Sequence, residues 1–207
     1  MTDESNRRPI AARNTGWALA TARLLARRHV TPNQISVLSV LFATAGAAAL
    51  LAWPDWRGML ACALAILLRL LCNLFDGMVA VEAGHGATPV GALYNDVPDR
   101  VADAMFLVAL GYAAGMPWLG WLAALLAVAT AYIRALGGAL GLAQDFRGPM
   151  AKPHRMWLLG IALVFAALAA AWAHAILPGT AVVIAAGSAL TCVLRLRAIA
   201  TQLRGPR

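Results

Sequence analysis

Residues 73–103 read NLFDGMVAVEAGHGATPVGALYNDVPDRVAD. On a helix, Asn73, Asp76 and Ala80 fall on one face, at i, i+3 and i+7. After a Gly- and Pro-containing break at 84–91, Asp96, Asp99 and Asp103 repeat that spacing, and Asn95 joins Asp99 at i+4. Two consecutive helices joined by a short loop are expected to be antiparallel neighbours, so that their polar ends face each other at one depth. Carboxylates gathered there repel one another unless a cation lies between them. An all-oxygen set of this kind suits Mg²⁺, Mn²⁺ or Ca²⁺ better than zinc. The plainer reading is a solvated loop edge whose acids pair with Arg69 and Arg100. Gly77, directly after Asp76, leaves room for a substrate or another backbone to approach closely.

The rest of the chain says what surrounds this stretch. Of 207 residues, 61% are hydrophobic and 13% charged, and the mean hydropathy is +0.71. A soluble domain is nearer half apolar and a quarter charged, so this composition excludes a soluble globular protein and points to a membrane protein. Acids within membrane spans are costly and mark functional sites. Five of the nine acidic residues lie between Asp76 and Asp103. The seventeen basic residues are sixteen arginines and Lys152, and the net charge is +8. They sit at the edges of apolar runs, which fits anionic lipid headgroups and not nucleic acid. Cys62, Cys72 and Cys192 lie within apolar runs and read as buried thiols.

An all-α integral membrane fold of six transmembrane helices follows from the run lengths. Residues 7–28 alternate arginines with Ile10, Trp17, Leu19, Leu24 and Leu25, the pattern of an interfacial amphipathic helix and not of a secretory signal. Thr31 is placed to cap the next helix, with Pro32 in its first turn. Residues 35–53 carry no charge, and 59–75 form a second run broken only by Arg69. The aromatic turn at 53–58 separates the two. The uncharged run 104–133 divides at Gly115-Met116-Pro117. The run 156–194, free of Asp, Glu, Lys and Arg, divides at His174 and Pro178-Gly179. Three organisational units are expected: a cytoplasmic segment 1–30 with the amphipathic helix, a six-helix membrane domain 31–200, and a tail 201–207. Arg and Lys concentrate in the N-terminal segment, the 143–155 loop and the tail, while the opposite loops hold only Arg57. The positive-inside rule then places both termini and the acidic window in the cytoplasm.

The string Asn73-x2-Asp76-Gly77-x2-Ala80, followed by Gly91-x3-Asn95-x3-Asp99, resembles the signature of the CDP-alcohol phosphotransferase family, D-x2-D-G-x2-A-R-x8-G-x3-D-x3-D. Thr31-Pro32-Asn33-Gln34-Ile35-Ser36 and Asp99-Arg100-Val101-Ala102-Asp103 are similar to further segments of the family. Tyr132-Ile133-Arg134 and Lys152-Pro153-His154-Arg155 are similar to acceptor-side elements of its phosphatidylinositol-phosphate synthase branch. The resemblance covers roughly residues 30–156. It implies an enzyme in which CDP-diacylglycerol, or a similar CDP-lipid, donates its phosphatidyl group to a small alcohol or alcohol phosphate and CMP leaves. It also implies two divalent ions, Mg²⁺ or Mn²⁺, across the diphosphate, a homodimer, and in this variant form a bacterial inner-membrane protein. Carried over by position, Asn73, Asp76, Asn95 and Asp99 are metal-site residues, with Asp99 also the base. Gly77 and Ala80 line the nucleotide pocket beside Asn73.

This sequence departs from the signature. Two of the four motif aspartates are Asn73 and Asn95, the motif arginine is Val81, and the spacer before Gly91 is one residue longer. Asp96, Asp103 and Glu82 are the acids available to restore the lost charge, the first two as further metal ligands. Arg69 or Arg100 is available to replace the missing guanidinium. Arg134, Lys152 and Arg155 converge near the cytoplasmic side, either as a clamp for an acceptor phosphate or as ordinary flanking charge. Two other functions remain open: a catalytically impaired relative that binds CDP-lipid or a partner without turnover, and a small transporter. No inverted repeat supports the transporter.

Overall fold

The structure is a computed structural model that describes residues 15–82 and 89–204; of these, the side chains of 89–92, Tyr94 and Asn95 are outside the description. The expected amphipathic segment before Thr15, the 83–88 loop and the last three residues also lie outside it. The described residues form seven α-helices and no strand. They are α1 (Gly16–Arg27), α2 (Pro32–Ala52), α3 (Trp56–Glu82), α4 (Pro89–Ala113), α5 (Pro117–Ala139), α6 (Lys152–Leu168) and α7 (Ala173–Arg204), with a 3₁₀ turn at Ala170–Trp172 before the last.

Local chemistry sets most of the boundaries. Thr31 starts α2 through a reciprocal capping box: its Oγ1 accepts from the Gln34 N–H at 3.3 Å, and its own N–H donates to Gln34 Oε1 at 2.9 Å. Pro54 follows the end of α2, and the Asp55 carboxylate accepts the Arg57 N–H at 2.8 Å as α3 begins. A β-carbon on Gly58 would stand 2.0 Å from the Trp53 carbonyl oxygen, so only glycine lets α3 turn back this tightly along α2. α4 ends in a Schellman motif with Gly115 at φ +69°: Met116 N–H reaches the Gly111 carbonyl at 2.8 Å and Gly115 N–H that of Tyr112 at 3.0 Å. Pro117 then opens α5.

One boundary differs from the sequence reading. The last apolar run divides at Ala169–Trp172, not at Pro178-Gly179, and Pro178 lies inside α7. A proline so near the start of a helix removes a single hydrogen bond, which a long, well-packed helix tolerates. Ala169, with φ −114° and ψ 61°, is where the backbone leaves the helix.

Four helices, α2, α3, α5 and α7, are long and apolar enough to cross a membrane. α4 carries Asp96, Asp99 and Arg100 in its first half and Asp103 just past its middle, and α6 has 17 residues. Leu50, Phe106, Leu107, Leu110, Leu159, Leu163 and Ile184 fill the centre of the bundle. Large apolar side chains such as Leu41, Leu125 and Phe165 are exposed around its outside, as a lipid-facing surface requires. α1 lies against the second half of α3, where Ala18 and Ala22 meet Cys72, Met78 and Val79. Trp17 and Phe75 meet edge to face at 6.0 Å.

α4 and α5 touch backbone to backbone. A β-carbon at Gly111 would lie 2.5 Å from the Gly120 Cα. Gly111→Ala is therefore expected to destabilise the bundle by about 1–3 kcal/mol, read as a lower thermal transition in detergent. Gly160→Ala, whose nearest neighbour would be 3.8 Å away, is expected not to lower it.

Candidate active site

At the polar end of the bundle Arg69 reaches from α3 to the acids of α4. Among the described residues the two helices each pack on α2 and touch each other little, so they are not the close neighbours expected of consecutive helices. Arg69, Asn73, Asp76 and Ala80 recur along one face of α3, and Asp96, Asp99 and Asp103 along one face of α4. The three acids of α4 grade from open to closed: their side chains are 60%, 9% and 2% exposed. Each meets a cation from the end of α5 or the start of α6. Asp96 pairs with Arg134 at 3.3 Å, Asp99 with Lys152, and Asp103 with Arg155 at 3.3 Å.

Arg69 joins this ladder from α3. Its Nη2 lies 3.0 Å from Asp99 Oδ1 and 3.0 Å from Asp103 Oδ1, and donates to the Asp99 carbonyl at 3.1 Å. The side chain is 0% exposed. Arg69 is thus a structural cation shared by two carboxylates and not an open phosphate fork. Arg100 lies nearer the surface, 3.2 Å from Asp96 and 4.0 Å from Asp99. Asp76 is different. Ser36 Oγ donates to it at 3.4 Å and the Gly77 N–H at 2.5 Å, but among the described residues it has no ion pair.

Arg155 is 1% exposed and donates to the Met150 carbonyl at 2.7 Å and to Thr130 Oγ1 at 3.3 Å as well as to Asp103. Behind it, Arg195 of α7 donates to the carbonyls of Thr130 at 2.6 Å and Arg147 at 3.0 Å. Arg134 and Lys152 keep partial exposure, and Arg134 also stacks over Phe146 at 5.4 Å. Sequence reasoning brought Arg134, Lys152 and Arg155 to one region, and the structure places them there, each on an acid of α4. It passed over Ser36 as a partner of Asp76, and Arg195 altogether. The second carried a weak signal, since an arginine directly after a long apolar run needs an acceptor if its helix face is buried.

The residues fit a hard divalent ion in kind. Asp76 has a carboxylate free of cations, and one turn earlier Asn73 has a buried amide nitrogen without a hydrogen-bond partner; with the amide turned, that position presents an oxygen. The remaining acids are engaged. Among the described residues no three His, Cys, Asp or Glu side chains are grouped to hold a metal, and Val81, at the place of the motif arginine, is exposed.

Removing one member of a buried ion pair leaves its partner uncompensated, at a cost of about 3–5 kcal/mol. Asp103→Asn leaves Arg155 with no carboxylate and Arg69 with Asp99 alone, and is expected to lower thermal stability accordingly. Asp96→Asn, at the open end, is expected to cost under about 1 kcal/mol in the same measurement.

No protein-family profile and no curated protein matches the chain. Solved structures do. Phosphatidylinositol phosphate synthase of Mycobacterium tuberculosis, in complex with manganese and citrate, has a TM-score of 0.73 and 26% identity to this chain, covering 88% of each. The same enzyme with CDP-DAG bound has a TM-score of 0.72 and 25% identity, covering 87% of this chain and 92% of that one. Its apo form has a TM-score of 0.72 and 26% identity, covering 88% and 95%. In fold and in motif frame the chain is similar to this CDP-alcohol phosphotransferase, at low sequence identity.

Proposed function

We propose that this protein is a membrane phosphatidyltransferase that moves a phosphatidyl group from CDP-diacylglycerol, or a similar CDP-lipid, to a small alcohol or alcohol phosphate. One observation carries the reading. The motif residues Asp76, Gly77, Ala80 and Asp99 stand on two helices joined through Arg69, in a fold similar to that of an enzyme solved with CDP-DAG and with manganese. In this reading α2 to α7 are six spans of one domain, residues 31–200, in a bacterial inner membrane. Both termini and the site face the cytoplasm. α1 lies at the interface, with Arg23, Arg27 and Arg28 toward anionic headgroups. A homodimer is the assembly the resemblance implies.

Asn73 and Asp76 of α3 are the proposed ligands of Mg²⁺ or Mn²⁺, with Asn95 opposite on α4. When bound, the ion offsets the charge of the diphosphate and stabilises CMP as it departs. Gly77 and Ala80 leave space for the nucleotide. Asp99 takes the proton of the acceptor hydroxyl, whose oxygen bonds to the phosphorus carrying the lipid as the bond from that phosphorus to CMP breaks. Arg69 and Lys152 hold the Asp99 carboxylate in place for that transfer. Arg134 and Lys152, partly exposed at the same end, are the cations that reach an acceptor phosphate. Arg155 supports them from below through Asp103. Asp96 and Asp103, expected as further ligands, act on the site as charges held by arginines.

The test is release of CMP by purified protein in detergent, with CDP-diacylglycerol, Mn²⁺ or Mg²⁺, and a panel of alcohols and alcohol phosphates. Acceptor-dependent CMP is expected, abolished by EDTA and lowered at least about 100-fold by Asp99→Asn or Asp76→Asn. CDP-lipid binding with no CMP from any acceptor or metal would overturn the proposal in favour of a binding protein.

A further inference from the structure

The resemblance implies two divalent ions, and the side chains of this site argue for one. We propose that Arg69 and Lys152 supply, as fixed side-chain cations, the positive charge at Asp99, and that the chain binds a single divalent ion per site, at Asn73 and Asp76. The inference rests on the transferase reading and narrows its metal requirement.

The two buried acids of α4 have their oxygens engaged. Asp99 presents Oδ1 to Arg69 and Oδ2 to Lys152. Asp103 presents Oδ1 to Arg69 and Oδ2 to Arg155. No oxygen of either carboxylate faces away from a cation. Of the three cations on Asp99, Arg100 is the most distant at 4.0 Å and Lys152 keeps some exposure and a flexible stem, but Arg69 is fully buried. A divalent ion on Asp99 would have to share the carboxylate with a guanidinium that has no route to solvent. Among the described acids of the site, Asp76 alone has no ion pair, so the carboxylate left unpaired lies on α3.

Asn73 belongs to the same arrangement. It follows Arg69 by one turn, at i+4, where side chains on a helix meet. A carboxylate at 73 would compete for the guanidinium and draw it away from Asp99 and Asp103. A neutral amide leaves Arg69 committed to α4 and still offers an oxygen to an ion on Asp76. The asparagine and the buried arginine are therefore compatible in physical terms: the position one turn from the guanidinium carries no charge to compete for it.

Counting bound Mn²⁺ tests this without reference to turnover. Detergent-purified protein is titrated with Mn²⁺, with and without CDP, and free Mn²⁺ is followed by electron paramagnetic resonance. One ion per chain is expected, with affinity lowered at least tenfold in Asp76→Asn. Arg69→Gln, checked for a monodisperse, helical protein, is expected to bind a second ion through the released carboxylates. Two ions on the unaltered protein would overturn the inference, while CMP release in the same preparation would leave the transferase standing. A folded Arg69→Gln that still binds one ion would overturn the role given to Arg69. If the variant does not fold, the count on the unaltered protein decides. Neither bound Mn²⁺ nor CMP release would remove the transferase reading and this inference together.

Discussion

Two carboxylates of α4, Asp99 and Asp103, share one guanidinium from α3, and the polar end of the bundle is arranged around that contact. Burying a charge in an apolar helical bundle is possible only where an opposite charge and hydrogen bonds meet it. Arg69 cannot leave the bundle, so Asp99 and Asp103 must be where they are. α4 must then present its i, i+3, i+7 face to α3, and the ends of α5 and α6 must bring Lys152 and Arg155 to the remaining carboxylate oxygens. Such a pair adds little net stability over apolar packing. Its effect is to fix the relative position of the helices that carry the site.

A second set of contacts holds the first in place. Arg155 reaches the Met150 carbonyl and Thr130, and Arg195 of α7 takes the Thr130 and Arg147 carbonyls. The segment between α5 and α6 is thereby tied to α7 through backbone carbonyls that no helix would otherwise satisfy. On the other side, the capping box at Thr31 fixes where α2 begins, and with it the depth of Ser36, which donates to Asp76. The two sides treat their acids differently. α4 is pinned by cations, whereas among the described residues Asp76 receives a hydroxyl and a backbone N–H and no ion pair.

What was legible in the sequence was local. The capping box needs only the residues 31–34, and the α4–α5 turn needs only glycine, methionine and proline in order, so both could be placed without a structure. The acid spacing was legible for the same reason, since a helix puts i, i+3 and i+7 together whatever surrounds it. Pairing of these acids with Arg69 and Arg100 was open to the sequence as its plainer reading, and both pairings form. Pairing with Arg134, Lys152 and Arg155 was not, because it depends on how α5 and α6 return to the bundle. Asp96 and Asp103 looked equivalent as spare ligands in the sequence, and the fold makes one exposed and the other closed. The break before α7 was misplaced because Pro178 and Gly179 are strong local signals, while the actual break at Ala169–Trp172 lies in a run of alanines whose conformation is decided by packing. Arg69 stood in the sequence as an interruption of an apolar run, and nothing local says that it faces two aspartates.

The gradient along α4 divides the work of one helix face. At Asp96 the carboxylate is open to water and its arginines can exchange partners, which suits a rim where a charged acceptor enters. At Asp103 the carboxylate is closed between two arginines, and any ligand reaching it would have to separate them. Only Asp99 lies between these limits: buried enough to be oriented by Arg69, yet beside a lysine that retains exposure and a flexible stem. A base must be held and must also be reachable, and of the three acids this is the one position where both conditions are met. The same reasoning separates the two helices. α4 offers a positioned carboxylate whose charge is already answered, and α3 offers Asp76, whose charge is not. An enzyme that must both take a proton from an alcohol and offset a diphosphate needs one of each.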